Sequence, residues 1–341
     1  MKNNEPRNFL KDTDFEYIDF HTHMHDEAYD TDSDEVMQNI FNKNIICVTV
    51  GTDLKESRKA KELSDKYFNF RSKETSYDDI IMHSNIFYTI GVHPHDNLQA
   101  TFEEKDTLEF ESLLSDRCIA IGECGLDYFY LKSDKEKRII ENLDQEVDRQ
   151  RDLFISQIKF ATKHNLPLMI HGRCSEKDEI DNPNGMDAYE DILEILEKFY
   201  EKKSIKKELE TQRNSAEIIK KEEINGNVHF FVGSMEIAQR FLDLNFTFSF
   251  GGVVTLTHDY DEVMKYIPIE CMHAETDSPY VTPKDSAGKK VILNINSKIN
   301  KTRNSSENIK IIIEKIAEIK NLEIEYVKNH LKQNFANFLR I

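Results

Sequence analysis

The sequence predicts an α/β protein of the (β/α)8 (TIM) barrel class, with a metal site at the carboxyl ends of the strands and extra helices at the C-terminus. Three observations predict it: short apolar runs recur, amphipathic segments separate many of them, and a histidine or an acid follows most runs. Alternating strands and helices favour a parallel sheet covered by helices. The alternative, a doubly wound open sheet, usually has a glycine-rich loop after its first strand, and here a histidine pair stands in that place.

Eight runs rich in Ile, Val and Phe have the length and composition of strands that are buried on both faces. They are FEYIDF (15–20), IICVTV (45–50), IFYTIGV (86–92), CIAIG (118–122), LPLMI (166–170), NVHFFV (227–232), FTFSF (246–250) and CMHAET (271–276).

Apolar residues recur at helical spacing in several of the intervening segments. The predicted helices are 33–44, 187–200, 234–245, 305–320 and 322–339. We expect the last two, which follow the eighth run, to pack on the outside of the barrel.

The domain plan is a single barrel over 15–341 after an N-terminal extension at 1–14. Residues 201–224 are mostly Lys and Glu, which predicts a charged insertion, either a solvated helix extension or a loop. No apolar signal-peptide segment and no stretch of ~20 apolar residues is seen. Five scattered cysteines without a C-x-x-C pair argue against a disulfide framework. We expect a cytoplasmic protein, with a nuclear location open, that is a monomer or a weak homo-oligomer.

The net charge of the 341-residue chain is −18. A broad surface that coats duplex nucleic acid is therefore not expected, because such surfaces are basic. An enzyme acting on nucleic acid stays open, since a divalent-cation cluster is itself a strong local positive charge.

The stretch IDFHTHMHDE places three histidines at alternate positions after the first run. Alternate side chains of a strand share a face, so Asp19, His21 and His23 are expected to point one way and Phe20 the other. That arrangement suits a metal site at a strand end. His25 is interpreted as an exposed turn residue.

Titratable side chains also follow the later runs. Together with the first pair, the proposed ligands are His21, His23, Glu123, His171, His229 and Asp277. In a (β/α)8 barrel the carboxyl ends of all strands meet at one rim, so these side chains are expected to converge there. Four histidines and two carboxylates exceed the needs of one tetrahedral zinc and suit two divalent ions. The imidazole-rich set favours Zn, Mn or Fe over Mg alone, although Mg stays open.

We assign these ligands to two ions, with one carboxylate shared. His21, His23 and Asp277 are assigned to the first ion, His171 and His229 to the second, and Glu123 to a bridge between them.

Motifs spread from about residue 15 to the end resemble those of TatD-type metal-dependent deoxyribonucleases, a branch of the amidohydrolase-like barrels. They are DFHTH (19–23), IGVHPHD (90–96), IGECGLDYFY (121–130), LPLMIHGR (166–173), VHFFVGS (228–234), ETDSPYVTP (275–283), KTRNSSENI (301–309) and NFANFL (334–339). The chain departs from the pattern in the longer stretch between His171 and His229, and in RNSS at 303–306 where the family usually has RNEP.

The resemblance implies a metal-dependent phosphodiesterase that acts on DNA, commonly as a 3′–5′ exonuclease, and its metal ligands fall on the six residues named above. It implies catalytic roles for Asp277, which would activate the attacking water, and for Glu123. It also suggests site roles for His93, as a phosphate contact or extra-metal ligand, and for Glu275. Arg173 could bind a phosphate through two hydrogen bonds; the alternative is a surface arginine that packs its stem.

Two other classes of function are weighed against the nuclease. A metal-dependent hydrolase of a small ester, a lactone or aminoacyl-tRNA could use the same barrel, and the acidic composition favours it. Many relatives in the wider superfamily have a modified lysine where this chain has Glu123, which favours the TatD branch. A non-catalytic scaffold is disfavoured because none of the six ligands is missing. The expected partners are therefore DNA and two divalent ions (Zn, Mg or Mn), without a membrane.

Overall fold

The structure is a computed structural model that describes residues 15–68, 84–98, 100–175, 186–211, 225–285, 287–291 and 303–340. The predicted N-terminal extension at 1–14 and positions 212–224 of the predicted insertion lie outside the described residues. The first part of that insertion continues a helix through Thr211.

Eight parallel strands form one sheet in sequence order. They are β1 (Tyr17–Thr22), β2 (Ile45–Val50), β3 (Ile86–Ile90), β4 (Cys118–Asp127), β5 (Leu168–Arg173), β6 (Gly226–Val228), β7 (Phe246–Phe250) and β8 (Met272–Ala274). The chain after β8 returns to β1, where the amide of Asp277 donates to the carbonyl of His21 (2.9 Å) and the amide of His23 donates to that of Ser278 (2.7 Å). The predicted (β/α)8 barrel is confirmed.

Helices surround the sheet, and those predicted from apolar spacing are all present. Within the described residues they are α1 (Ser33–Asn42), α2 (Leu54–Lys66), α3 (Glu104–Glu111), α4 (Leu131–Glu136), α5 (Leu143–His164), α6 (Ala188–Thr211), α7 (Met235–Asp243), α8 (Asp261–Tyr266), α9 (Ile309–Lys320) and α10 (Ile324–Phe338). Side-chain caps begin several of them: Asp53 accepts from the amide of Glu56 at the start of α2, and Ser234 accepts from the amide of Ile237 at the start of α7.

The strands separate two apolar clusters. Cys47 of β2 packs in the cluster that includes the surrounding helices, whereas Ile46 and Val48 belong to a second cluster of residues from β1 to β5. Because alternate strand residues point to opposite faces, the second cluster is the barrel interior.

The end of α10 closes this interior at the amino ends of the strands. Phe335 and Phe338 join the interior cluster and lie edge-on to Phe20, with ring centroids 6.0 and 4.9 Å from it. Phe335 also meets Phe87, the second residue of β3, at 5.4 Å. The expectation that both C-terminal helices pack outside the barrel holds for α9 and is wrong for the end of α10.

Candidate metal centre

β1 carries the histidine pair, and one extra residue in the strand directs both rings to the same site. The register of β1 with β2 shifts by one residue after Asp19, which marks a β-bulge. Phe20 therefore packs in the barrel interior while His21, the next residue, joins the polar cluster. Asp19 instead accepts hydrogen bonds from the amide (2.8 Å) and hydroxyl (2.5 Å) of Thr276. The prediction that Asp19 shares a face with His21 and His23 is wrong because the bulge breaks the alternation.

β4 and β5 continue past the predicted runs, so Glu123 and His171 lie within strands rather than at their ends. β6 is shorter than predicted and ends at Val228, so His229 directly follows its strand. The two long strands approach closely at Gly125, where a Cβ atom would lie 2.0 Å from the carbonyl oxygen of His171. Glycine is therefore required at this position of β4.

The first group of donors lies at the junction of β1 and β8. The Nε2 atoms of His21 and His23 are 3.3 Å apart. Oδ1 of Asp277 lies 3.8 Å from the first nitrogen and 3.4 Å from the second. Oε2 of Glu123 lies 3.5 and 3.8 Å from the same two nitrogens. Four side chains from three strands and their following segments therefore face one point.

The second group lies on the other side of Glu123. Nδ1 of His171 and Nε2 of His229 are 3.3 Å apart, and each lies 2.9 Å from Oε1 of Glu123. The ring of His229 also stacks on that of His21, with centroids 3.8 Å apart. The structure thus brings together all six residues that the sequence singled out as ligands.

These separations fit divalent cations. Around a tetrahedral zinc with Zn–N bonds of about 2.0–2.1 Å, neighbouring ligand atoms lie ~3.3 Å apart. The donor pairs above span 2.9 to 3.8 Å, on both sides of that value. Imidazole nitrogens and carboxylate oxygens are also the donor types that Zn²⁺ and Mn²⁺ accept. The chain therefore contains residues able to hold such ions.

Two of the histidines have their second ring nitrogen engaged by the protein. Nδ1 of His23 donates to the carbonyl of Val50 (2.9 Å), and Nε2 of His171 donates to Oδ2 of Asp127 (3.0 Å). Such contacts fix the ring orientation and leave the other nitrogen free for a cation. Sequence reasoning missed Asp127, although its even spacing from Glu123 along β4 places both carboxylates on one face.

His93 approaches the cluster in a different way. Its Nδ1 accepts hydrogen bonds from the amides of His95 (3.2 Å) and Asp96 (3.0 Å). Nδ1 also lies 3.1 Å from Oδ1 of Asp96, and Nε2 lies 3.7 Å from Oε1 of Glu123. Together with Glu123 and His171, His93 forms a further group of donor atoms that could hold a cation.

Glu275 lies behind the cluster. Its side chain is fully buried, and Oε1 accepts from the amide of Phe230 (2.7 Å) and lies 3.4 Å from Nδ1 of His229. In this position the carboxylate can orient the ring of His229, whereas the sequence suggested a substrate contact.

Two other sequence-predicted residues lie beside the cluster. The guanidinium of Arg173 stacks over the ring of Phe129, 3.8 Å from its centroid. The side chain of His25 is buried, and its Nδ1 lies 2.7 Å from the hydroxyl oxygen of Thr49. His25 lies in a turn as predicted, but the predicted exposure of its side chain is wrong.

The carboxylates and imidazoles of the cluster control each other's charge. Burial alone would lower the pKa of His23, but a hydrogen bond to Asp277 and the charge of Glu123 raise it to about 9. At His171, hydrogen bonds to the carboxylates of Asp127 and Glu123 outweigh burial and raise the pKa to about 9. Burial alone would raise the pKa of Glu123, but the charge of His229 and its other histidine neighbours hold it well below its usual range. A cation that binds here must displace protons from His23 and His171.

Comparison with known proteins identifies the family. A family model described as TatD related DNase matches residues 18–340. The chain belongs to the TatD family. The resemblance noted in the sequence motifs is thus confirmed.

Other TatD-like proteins resemble this chain over nearly its whole length. The Bacillus subtilis strain 168 protein described as the uncharacterized metal-dependent hydrolase YabD is 30% identical over 327 residues, which is 95% of this chain and 99% of YabD. The Methanocaldococcus jannaschii protein described as the uncharacterized metal-dependent hydrolase MJ1582 is 24% identical over 330 residues, 96% of this chain and 98% of its own.

The TatD fold is also found in similar solved structures. The TatD family hydrolase of Entamoeba histolytica superposes with a TM-score of 0.65 at 22% identity, over 96% of this chain and 98% of its own. YjjV, a TatD homologue of Escherichia coli K12, gives a TM-score of 0.64 at 18% identity with the same coverage. No helix in the described part of this TatD chain combines the length and apolar character of a membrane span.

Proposed function

We propose that this TatD-family protein hydrolyses phosphodiester bonds of DNA with the help of two divalent ions, Zn, Mn or Mg. One observation carries the proposal: the two oxygens of Glu123 face different histidine pairs, Oε2 toward His21 and His23 and Oε1 toward His171 and His229. A carboxylate in that position suits a bridge between two cations, the arrangement that serves in-line displacement at phosphorus. The family description as DNases supports DNA as the substrate.

The same distances support the ligand assignment. His21, His23 and Asp277 would hold the first ion, and His171 and His229 the second, with Glu123 between them. Two ions bound there would lower the pKa of a water molecule toward neutrality and neutralise the phosphate oxygens.

The residues of the chain then divide the remaining tasks. The Asp277 side chain is 15% exposed, against 5% for that of Glu123, so it faces the mouth of the cluster and can accept the proton of the attacking water. His93 presents its Nε2 toward the same place, where it can contact a phosphate oxygen or an extra cation. The polarity that we propose is removal of one terminal nucleotide at a time from the 3′ end. Each cleavage leaves a 5′-phosphate and a 3′-hydroxyl.

The test is cleavage of 5′-labelled single-stranded and duplex oligonucleotides by the purified protein with Mg²⁺, Mn²⁺ or Zn²⁺, before and after a chelator. We expect a ladder that shortens from the 3′ end, vanishes with the chelator, and is absent for Glu123→Ala and Asp277→Ala. Glu111→Gln is the matched control, since that acid pairs with Lys163 on the outer helices. Cleavage that survives the chelator or the Glu123→Ala change would overturn the proposal.

A hydrolase of a small ester, a lactone or an aminoacyl-tRNA is the second candidate. The net charge of −18 favours it, because an acidic surface repels long polyanions. Metal-dependent turnover of such an ester by protein that leaves DNA intact would replace the nuclease with this function.

A further inference from the structure

A row of stacked side chains borders the metal centre. Arg173 lies over the ring of Phe129, 3.8 Å from its centroid, and 5.1 Å from that of Tyr130. Tyr130 stacks on His95 with ring centroids 5.0 Å apart and an interplanar angle of 29°. Phe129 meets Tyr130 edge-on at 4.9 Å, so the four side chains form one continuous surface.

Short stretches of chain connect this row to the cluster. Arg173 follows the proposed ligand His171 by two residues on β5, and His95 follows His93 by two residues after β3. Arg173 is also paired in register with Asp127, whose carboxylate holds His171. The row therefore lies within about one nucleotide of the proposed ions, since two residues of strand span ~7 Å.

Two members of the row have unused binding capacity. The described contacts of the Arg173 guanidinium are with the two rings, and no carboxylate among the described residues lies within ion-pair distance of it. This is notable in a chain with 63 acidic residues and 45 basic ones. Tyr130 is 39% exposed although it stacks on His95. A cation to which the described residues supply no counter-ion, next to an exposed ring, suits a ligand that has both an anion and a flat group.

We propose that Arg173 and Tyr130 form a nucleotide subsite next to the scissile phosphate. Arg173 binds the neighbouring phosphate, since its planar guanidinium can donate two hydrogen bonds to it. Tyr130 stacks against the base, a contact that tolerates any sequence because every base has a flat face. The subsite rests on the proposed nuclease function and assigns to Arg173 and Tyr130 the contacts with the nucleotide beside the scissile phosphate.

The test compares two single-stranded, 5′-labelled oligonucleotides, one normal and one in which an abasic tetrahydrofuran residue replaces one of the last two 3′ nucleotides. When the abasic residue stands at one of these two positions, we expect wild-type protein to cleave the normal strand with a kcat/KM about tenfold higher than that for the abasic strand. Tyr130→Ala should lose that preference and cleave the abasic strand as wild type does, whereas Tyr130→Phe should keep it.

Tyr326→Ala is the matched control, because Tyr326 is also an exposed tyrosine whose ring packs against a histidine, His330, but it lies on α10 at the far end of the barrel. It should retain the wild-type preference. A wild type without preference, or a Tyr130→Ala variant that slows equally on both strands, would overturn the subsite while leaving the nuclease intact. A wild type that cleaves neither strand with any of the three cations would overturn both.

Arg173 has its own measurement. Arg173→Gln should raise KM more than it lowers kcat, and should reduce the slope of log KM against log salt concentration by about 0.7, the value for one phosphate contact on a single strand. An unchanged salt slope would remove Arg173 from the subsite.

Discussion

At the scale of single residues, the contacts behind the ligands decide which atoms face a cation. Asp127 holds Nε2 of His171, the carbonyl of Val50 holds Nδ1 of His23, and both rings present their other nitrogen to the cluster. The six ligand types and their convergence could be predicted from the sequence, because histidines and acids follow the strands. Asp127 lies five residues beyond the predicted run 118–122, so a search for the residue that follows each apolar run does not find it.

Replacement of Asp127 should weaken metal binding. We expect Asp127→Asn to lower the affinity for Zn²⁺ or Mn²⁺ about 10- to 100-fold, the usual effect of removing a carboxylate that orients a ligating histidine. The measurement is competition with a chromophoric chelator.

Asp134→Asn is the control for that experiment. Its carboxylate lies 2.6 Å from Nε2 of His95, which is not among the proposed ligands. Equal losses in the two variants would show that Asp127 has no special link to the metal centre.

Metal binding should release protons, and the affinity for the metal should therefore increase with pH. The pKa of His23 and of His171 is raised to about 9, so both rings are protonated near neutral pH in the metal-free protein. A cation needs neutral imidazoles, so affinity should increase from pH 6 toward pH 9 and level off above it. Titration calorimetry at pH 7 in buffers of different ionisation enthalpy measures the protons released, and a value of zero or below contradicts the assigned charges.

At the scale of elements, α5 positions two parts of the site. Gln157 accepts from the amide of Val92 (2.8 Å) and donates to its carbonyl (2.9 Å), just before His93. Gln150, two turns earlier, does the same for Asp127, at 2.9 and 3.0 Å. Both glutamines are fully buried, so one helix face fixes the segments after β3 and at the end of β4.

Loss of the side-chain amide of Gln150 or of Gln157 should destabilise the fold and the site together. Gln150→Leu and Gln157→Leu each leave a buried amide and carbonyl unpaired, which costs about 1–3 kcal/mol per group. Urea denaturation should show this loss, and Gln157→Leu should also lower kcat through His93. Gln145→Leu, an exposed change on α5, is the control and should alter the free energy of unfolding by less than about 0.5 kcal/mol. Equal stability of all three variants would contradict the positioning role.

Strands and helices could be predicted as elements, but their details could not. The alternation rule assumes a regular strand, and the bulge in β1 that brings both Phe20 and His21 inward has no marker in the apolar pattern. β5 continues as far as Arg173 and pairs with the polar end of β4. The length of both strands therefore depends on tertiary pairing and not on composition.

At the scale of the whole molecule, the barrel keeps its two ends apart. The carboxyl ends of the strands carry the histidines and acids, while Phe335 and Phe338 of α10 fill the amino ends. The barrel class could be predicted because eight runs alternate with helical segments. The inward position of the last helix could not, since its apolar stripe is equally compatible with packing on the outer surface.

The central claim is that two ions share Glu123, and the most direct test is a crystal structure of protein loaded with Mn²⁺ or Zn²⁺, measured at the metal's absorption edge. We expect two anomalous peaks about 3.5–4 Å apart, one beside His21, His23 and Asp277 and the other beside His171 and His229, with Glu123 between them. A single peak, or two peaks without Glu123 as a shared ligand, would contradict the account.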